Sequence, residues 1–487
     1  MSSLKDKLQN GVAWTTISSV VVISTQILQV LVLGRVLSAE VFGFLASLLI
    51  VVQFCELFSQ AGLSEAYVQK KDPSSCIVGK IFYLNVITSL GIVTLLAIGL
   101  HFSPWVYSGE DLTNYILVIS LTIVVNSFSL IYKAILQKGL KFDSLAKSEF
   151  YSALIALPIT IYFAYSGFEL WALVIGYAIK VVIRSSLTVF FGVKYFGVIK
   201  PIVSFVGVKP YLQYGINLVV ANLINLFNTK IDQIIIGFFL GPITLGYYSM
   251  AINIVLQPIS QITPIFTKIA FPTFSRYQDN LKLFSYLYLK YMLLVSIVVS
   301  PIYIGLSVLS FDFVSLVLGD SWGKTAYFIQ SMCFYGIFRA SSSAASVVLL
   351  ALGLTNKAVS WNFFVSFVLV ITTSLSAYSY GAIGIIAALT FSQVLFIICW
   401  WAWILRVHLI ITLKDFASKI CFPIIVSGVM GGALIFSREQ LITYVNSNMV
   451  LNLSLLIILG VIIYITLIYL FYKKELLSMK DILNSTS

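Results

Sequence analysis

Fourteen apolar runs follow one another along this 487-residue chain, near 11–33, 41–62, 79–101, 114–133, 148–166, 168–192, 211–240, 245–270, 286–310, 324–352, 357–377, 380–406, 417–436 and 449–472. Most of them reach about 20 residues, the length an α-helix needs to cross the hydrocarbon core of a bilayer. In lipid every backbone polar group must find its partner inside the protein, so runs of this length fold as spanning helices. Only 10% of residues are charged against 60% hydrophobic, too few to solvate the surface of a water-soluble protein. The expectation is an all-α polytopic membrane protein with 14 transmembrane helices. The first run, 11–33, is too long for the apolar region of a signal peptide and lacks a small-residue cleavage site, so it reads as a retained span.

Basic residues set the orientation. The net charge of +12 would suggest nucleic acid in a soluble chain. Here most Lys and Arg fall in short loops, where they record topology and anionic lipid, and no nucleic-acid partner is expected. With the N-terminus inside, 22 of the 30 Lys and Arg lie on cytoplasmic segments, three (Arg35, Lys324, Arg438) on outer loops and five within spans. That alternation predicts two cytoplasmic termini. The connections leave no room for a catalytic or nucleotide-binding domain, and Gly319 to Thr325 is one residue short of a Walker phosphate loop. The five Cys are scattered with no C-x-x-C pair, so they read as apolar filler, with no metal site and no cofactor.

An internal repeat orders the chain. Residues 33–47 (LGRVLSAEVFGFLAS) align without gaps on 236–250 (IGFFLGPITLGYYSM) at an offset of 203, with Gly34 on Gly237, Leu37 on Leu240 and Gly43 on Gly246. The same offset separates the first and seventh runs, so the two copies share an orientation, as in a parallel repeat about the membrane normal. The implied organisation is an N-lobe of six helices at 1–192, a cytoplasmic linker at 193–210 and a C-lobe of six helices at 211–406. Two appended helices and a cytoplasmic tail fill 407–487. Repeats of this kind place a substrate site between lobes and alternate access by rocking.

Polar residues inside spans are costly and mark candidate sites. In the seventh run Asn217, Asn222, Asn225, Asn228, Thr229, Asp232 and Gln233 share one helical face, and Lys230 points off it. The first run repeats the stripe at the same offset, Ser19, Thr25, Gln26 and Gln29 matching Asn222, Asn228, Thr229 and Asp232. Such stripes act either as hydrogen-bonding glue between helices or as the wall of a wet cavity; their recurrence in both lobes favours the cavity. The second run groups Gln53, Glu56, Ser59 and Gln60; the sixth places Lys180 and Arg184 on one face with Tyr177 and Thr188; the tenth aligns Ser331, Tyr335, Arg339, Ser342, Ser343 and Ser346. Cations lining a cavity suit an anionic substrate, Arg with bidentate geometry, although Lys180 and Arg184 could also snorkel. The substrate-site candidates are thus Arg339, Tyr335, Asp232, Asn225, Asn228, Gln26, Gln29, Lys180 and Arg184. Asp232 and Glu56 are candidates for a coupling H+ or Na+. Pro258, Pro264, Pro301 and Pro423 predict bends within their helices.

The segments LGRVLSAEVFG (33–43), Ala61-Gly62-Leu63 through Gln69-Lys70-Lys71-Asp72, Gln137 to Phe142 and Trp171 to Val174 resemble polysaccharide exporters of the Wzx flippase type. In the second half Asp232-x-x-Ile-Ile-Gly237, Leu245-Gly246-Tyr247, Phe271-Pro272 and Leu318 to Trp322 fit the same pattern. The resemblance implies the multidrug/oligosaccharidyl-lipid/polysaccharide exporter superfamily. It also implies a substrate, an undecaprenyl-pyrophosphate-linked oligosaccharide repeat unit, moved across the bacterial inner membrane for O-antigen, capsule or exopolysaccharide assembly. A glycan polymerase and a chain-length regulator would be its partners. Two alternatives stand beside it. One is a drug/cation antiporter of the same superfamily, which would favour a more acidic cavity. The other is a membrane-embedded glycan polymerase or ligase, which would need a large outer loop.

Overall fold

The structure, a computed structural model, describes residues 4–70, 75–102, 110–409, 411–444 and 449–485; Lys71 and Asp72 of the family-like segment lie outside them. Among the described residues there is no strand. The helices in chain order are α1 (Leu4–Val36), α2 (Ala39–Gln60), the short α3 (Leu63–Gln69), α4 (Ser75–Phe102), α5 (Glu110–Lys138), α6 (Phe142–Tyr165), α7 (Glu169–Phe196) and α8 (Lys209–Arg276). They continue with α9 (Leu281–Val308), α10 (Ser310–Val317), α11 (Gly323–Ser341), α12 (Ala344–Ala351), α13 (Thr355–Trp400), α14 (Leu413–Tyr444) and α15 (Met449–Ser485). Ten helices among the described residues are long and apolar enough to cross a membrane.

Two of those ten are much longer than a bilayer is thick, and each is broken at one glycine. Gly241 (φ 77, ψ 175) interrupts α8 and Gly381 (φ 62, ψ −149) interrupts α13. A Cβ makes such positive-φ conformations costly, so glycine is the residue that fits. The backbone remains helical through Pro258, Pro264, Pro301 and Pro423, where the sequence predicts bends. It is the two glycines that take the chain out of helical geometry.

Packing divides the chain into two compact units, Met1–Gly237 with Gly241–Gly246, and Phe238–Leu240 with Tyr247–Ser487. In the first unit α6 lies between α1 and α7, and α5 packs on α7, α4 and α2. One core joins Leu33 and Leu37 to Ile119, Ile123, Leu173 and Val174. A second gathers Leu63, Tyr67, Ile81, Ile131, Val208 and Tyr211.

The stretch 197–208 that follows α7 is fastened to this second core. Ile199 N donates to Tyr132 Oη at 3.1 Å, Ile202 N to Gly79 O at 3.2 Å, and Lys80 Nζ to Val206 O at 2.7 Å. A side chain at position 79 would collide with Lys200 O, so glycine is what lets the stretch lie there.

The repeat glycines meet in the same unit. A Cβ on Gly43 would overlap Pro242 O, and one on Gly246 would overlap Ala39 O. Ala39 and Pro242 are also 203 residues apart, so the contact is reciprocal: each glycine meets the carbonyl four residues before the other.

In the second unit α9 packs on α14 and α11, and α14 packs on α15. Leu293, Val426, Met430, Leu434, Leu456 and Tyr464 share a core, and Tyr464 Oη donates to Ile297 O at 2.7 Å. One corner is held by buried Trp322, edge-on to Tyr247 at 5.7 Å, with Thr325 Oγ1 donating to Tyr247 O at 3.2 Å. Large apolar side chains such as Leu95, Phe367 and Leu470 lie exposed, the arrangement that suits a surface in contact with lipid.

A candidate anion site and the family of the chain

The first unit brings charged side chains from four helices into one neighbourhood. Glu56 comes from α2, Lys133 from α5, Glu149 from α6, and Lys180 and Arg184 from α7. Two close approaches position α7. A Cβ at Gly176 would overlap Thr160 Oγ1 of α6, and one at Gly192 would overlap the Tyr132 ring of α5. Lys180 and Arg184 lie between these glycines, so both neighbouring helices are drawn in around them.

Arg184 Nη1 stands 3.6 Å from Glu149 Oε1, with the side chains 33% and 44% exposed. That is an ion pair without a hydrogen bond. Glu56 is half-buried and lies within electrostatic reach of Arg184 and Lys133, with the Asn126 side chain nearby. Asn126 Oδ1 accepts from Ser129 Oγ at 3.3 Å and Ser185 Oγ at 3.5 Å. Lys180 feels both Glu149 and Arg184, and Tyr177 feels both Glu56 and Arg184.

The sequence singles out Glu56, Lys180 and Arg184, and the structure brings these three together. It also adds Asn126, Lys133 and Glu149, which sequence reasoning misses. A lone Asn in an apolar run carries no periodic signal, and Lys133 and Glu149 sit at run ends, where charge is ordinary.

The long polar stripe is less uniform than helical projection suggests. Along α8, Asn225 and Thr229 are exposed and Asn228 half-buried, whereas Asp232 and Gln233 are buried. Lys230 Nζ donates to Gln233 Oε1 at 3.3 Å and lies within electrostatic reach of Asp232, so this cation is engaged on its own helix. On α1, Gln26 is exposed and Gln29 half-buried, and buried Thr25 donates back to Val22 O at 2.8 Å.

The second unit holds Arg339 and Tyr335 on α11. Tyr335 is buried and Arg339 half-buried. The sequence predicts one helix over 324–352; the structure ends α11 at Ser341 and starts α12 at Ala344. Arg339 therefore lies in the last turn of a helix that stops inside the apolar run. The carbonyl end of a helix favours a cation, and broken helices at membrane depth are tolerated where they line protein or a cavity. Ser342 beside the break donates to Gln393 Oε1 at 3.5 Å. Among the described residues no group of three or more His, Cys, Asp or Glu side chains is placed to hold a metal ion.

Residues 32–327 match the family model described as polysaccharide biosynthesis protein. The chain belongs to this polysaccharide biosynthesis family. It is 27% identical over 397 residues to the lipopolysaccharide biosynthesis protein WzxC of Escherichia coli K12, covering 81% of this chain and 80% of that one. It is 26% identical over 364 residues to the teichuronic acid biosynthesis protein TuaB of Bacillus subtilis, covering 74% and 75%. Among solved structures it is similar to the lipid II flippase MurJ in an inward closed conformation, with a TM-score of 0.76 at 16% identity over 95% of this chain and 99% of that one. The relationship to Wzx-type exporters that the motifs imply is upheld, and the fold of this family member is MurJ-like.

Proposed function

We propose that this family member is a flippase that carries lipid-linked oligosaccharide repeat units across a bacterial membrane by alternating access. It is a transporter and not an enzyme. The observation that carries the reading is that a chain of this family carries cations within its apolar helices, Lys180 and Arg184 in one unit and Arg339 in the other. They suit the pyrophosphate of an undecaprenyl-linked glycan, with Arg supplying paired donors. Tyr335, Asn225, Asn228, Gln26, Gln29 and Asp232 would contact the sugars, whose hydroxyls match hydroxyl and amide side chains. Glu56 and Asp232 are the positions for a coupling H+ or Na+.

The finer architecture belongs to the same proposal. Splitting α8 at Gly241 and α13 at Gly381, and adding α6 and the α11–α12 pair to the ten spans, gives 14 crossings. The reciprocal Gly43 and Gly246 contact supports a two-fold repeat of lobes at 1–192 and 211–406, with α14 and α15 appended. Both termini would be cytoplasmic in the inner (plasma) membrane, with a glycan polymerase and a chain-length regulator as partners.

A strain lacking the protein provides the test. The expected result is repeat units held on lipid at the inner leaflet and no surface polymer. Normal surface glycan together with drug sensitivity would instead support the antiporter reading.

A further inference from the structure

The stretch 197–208 has one face turned into the protein and one turned out. It leaves α7 at Gly197 (φ 100) and turns toward α8 at Gly207 (φ 79). Ile199 and Val208 are buried, in the core that holds Tyr132. The outward face is apolar, with Val198, Val203, Phe205 and Val206 between 66% and 78% exposed. Tyr195 and Phe196, just before them at the end of α7, are exposed as well. These side chains stand outside the apolar runs, which end near 192 and resume near 211, so spanning helices do not account for their exposure. Large apolar groups concentrated on one side of a short stretch are costly to leave in water and mark a contact surface.

The charge on this stretch has one sign. Lys194, Lys200 and Lys209 are exposed, and the chain carries no Asp or Glu between Glu169 and Asp232. Neighbouring cations are already engaged. Lys80 Nζ donates to Val206 O at 2.7 Å and Lys138 Nζ to Lys70 O at 2.6 Å. Lys70 lies over the Tyr211 ring at 4.4 Å and Lys141 over the Tyr195 ring at 5.5 Å. Among the described residues the three exposed lysines make no ion pair.

We propose that residues 194–209 form an anchor in the membrane interface: Val198, Val203, Phe205 and Val206 enter the boundary between headgroups and acyl chains, and the flanking lysines hold anionic headgroups. Both ends of the stretch continue into helices long and apolar enough to cross a membrane, α7 and α8. It therefore runs at the level where those helices meet the bilayer surface. Apolar groups flanked by lysines are the composition that settles in this layer. The ties to Tyr132, Gly79 and Lys80 fix the inward face and leave the outward one to lipid. A second copy of the chain fits less well, since a two-fold contact would set this basic face against itself. The anchor needs only that the chain spans a membrane and is independent of the cargo.

The test uses the purified full chain in nanodiscs of phosphatidylcholine alone or mixed equally with phosphatidylglycerol. Phe205→Trp adds one indole, whose signal is taken as the difference from wild type. That indole is expected to be quenched by lipids brominated along their acyl chains and shielded from acrylamide. Access to acrylamide without quenching by bromine would place the stretch in water and overturn the proposal. Shielding that requires two chains in one disc would overturn it in favour of a second copy. Amide hydrogen exchange over 197–208 then reads the headgroup contribution. One lysine at an anionic surface is worth about a fivefold change in exchange. Lys200→Gln should speed exchange by that factor in the mixed discs and leave it unchanged in phosphatidylcholine. Val203→Ser with Phe205→Ser should speed exchange in both lipids. An unchanged unfolding temperature in detergent, expected of exposed positions, separates this from a weakened fold. Exchange that ignores lipid charge, or that the double serine variant leaves unchanged, overturns the proposal and leaves the flippase reading untouched.

Discussion

Gly43 and Gly246 have no room for a side chain, because a backbone carbonyl occupies the place of each missing Cβ. Backbone cannot swing aside as a flexible side chain can, so Gly43→Ala must shift a helix and is expected to destabilise the protein by about 1–3 kcal/mol. Thermal unfolding in detergent would show the loss. Since both glycines serve one contact, Gly43→Ala with Gly246→Ala should cost less than the two single effects added; strict additivity would mean that the contacts are independent. Arg339 makes a different demand. Arg339→Ala should abolish glycan export at an unchanged protein level, and Arg339→Lys should recover only part of it, because an ammonium lacks the planar fork. Full activity in Arg339→Ala would remove it from the substrate path. At this scale the sequence is informative about direction and poor on depth. Helical projection places Asn225 and Asp232 on one face, and the structure exposes the first and buries the second. Which residues share a face follows from 3.6 residues per turn, but burial depends on what neighbouring helices supply. Asn126 escapes notice for the same reason, since its hydrogen-bond partners, Ser129 and Ser185, come from α5 and α7.

The stretch 197–208 reads from sequence as a linker, with Pro201 and Lys200 and no apolar run. As an element it is a strap, tied by Tyr132, Gly79 and Lys80 to the ends of α4 and α5. Lys80 is only 8% exposed and gives its charge to Val206 O. A hydrogen bond involving a charged group contributes about 1.5–3 kcal/mol. Lys80→Met should therefore raise the rate of proteolysis within 197–208 by about tenfold or more, as local opening becomes easier. Unchanged cleavage would show that the strap is held without this bond. The helices themselves are legible because a bilayer fixes their length. Two of the connections are not: where the runs predict loops at 241–244 and 378–379, the chain leaves helical geometry at one glycine each, Gly241 and Gly381. One glycine in a long apolar stretch leaves hydropathy almost unchanged, so its effect on the backbone is invisible in the pattern. The break at Ser342 and Ser343 is hidden similarly, by serines that fit the expected polar face.

At the scale of the whole molecule, the chain is a MurJ-like bundle of a polysaccharide biosynthesis family, and the central claim is that it flips a lipid-linked glycan past cations at membrane depth. Two of the positions that align at an offset of 203, Gly43 and Gly246, make a reciprocal backbone contact that only glycine tolerates. The measurement that bears most directly on the central claim is translocation in liposomes. The purified chain is reconstituted with a fluorescent undecaprenyl-pyrophosphate-linked repeat unit, and the fraction reached by a membrane-impermeant quencher is followed in time. The inner-leaflet pool is expected to become accessible in a protein-dependent way, and Arg339→Ala is expected to slow this toward the rate of protein-free liposomes. Equal rates with and without the wild-type protein, across imposed H+ and Na+ gradients, would contradict the claim.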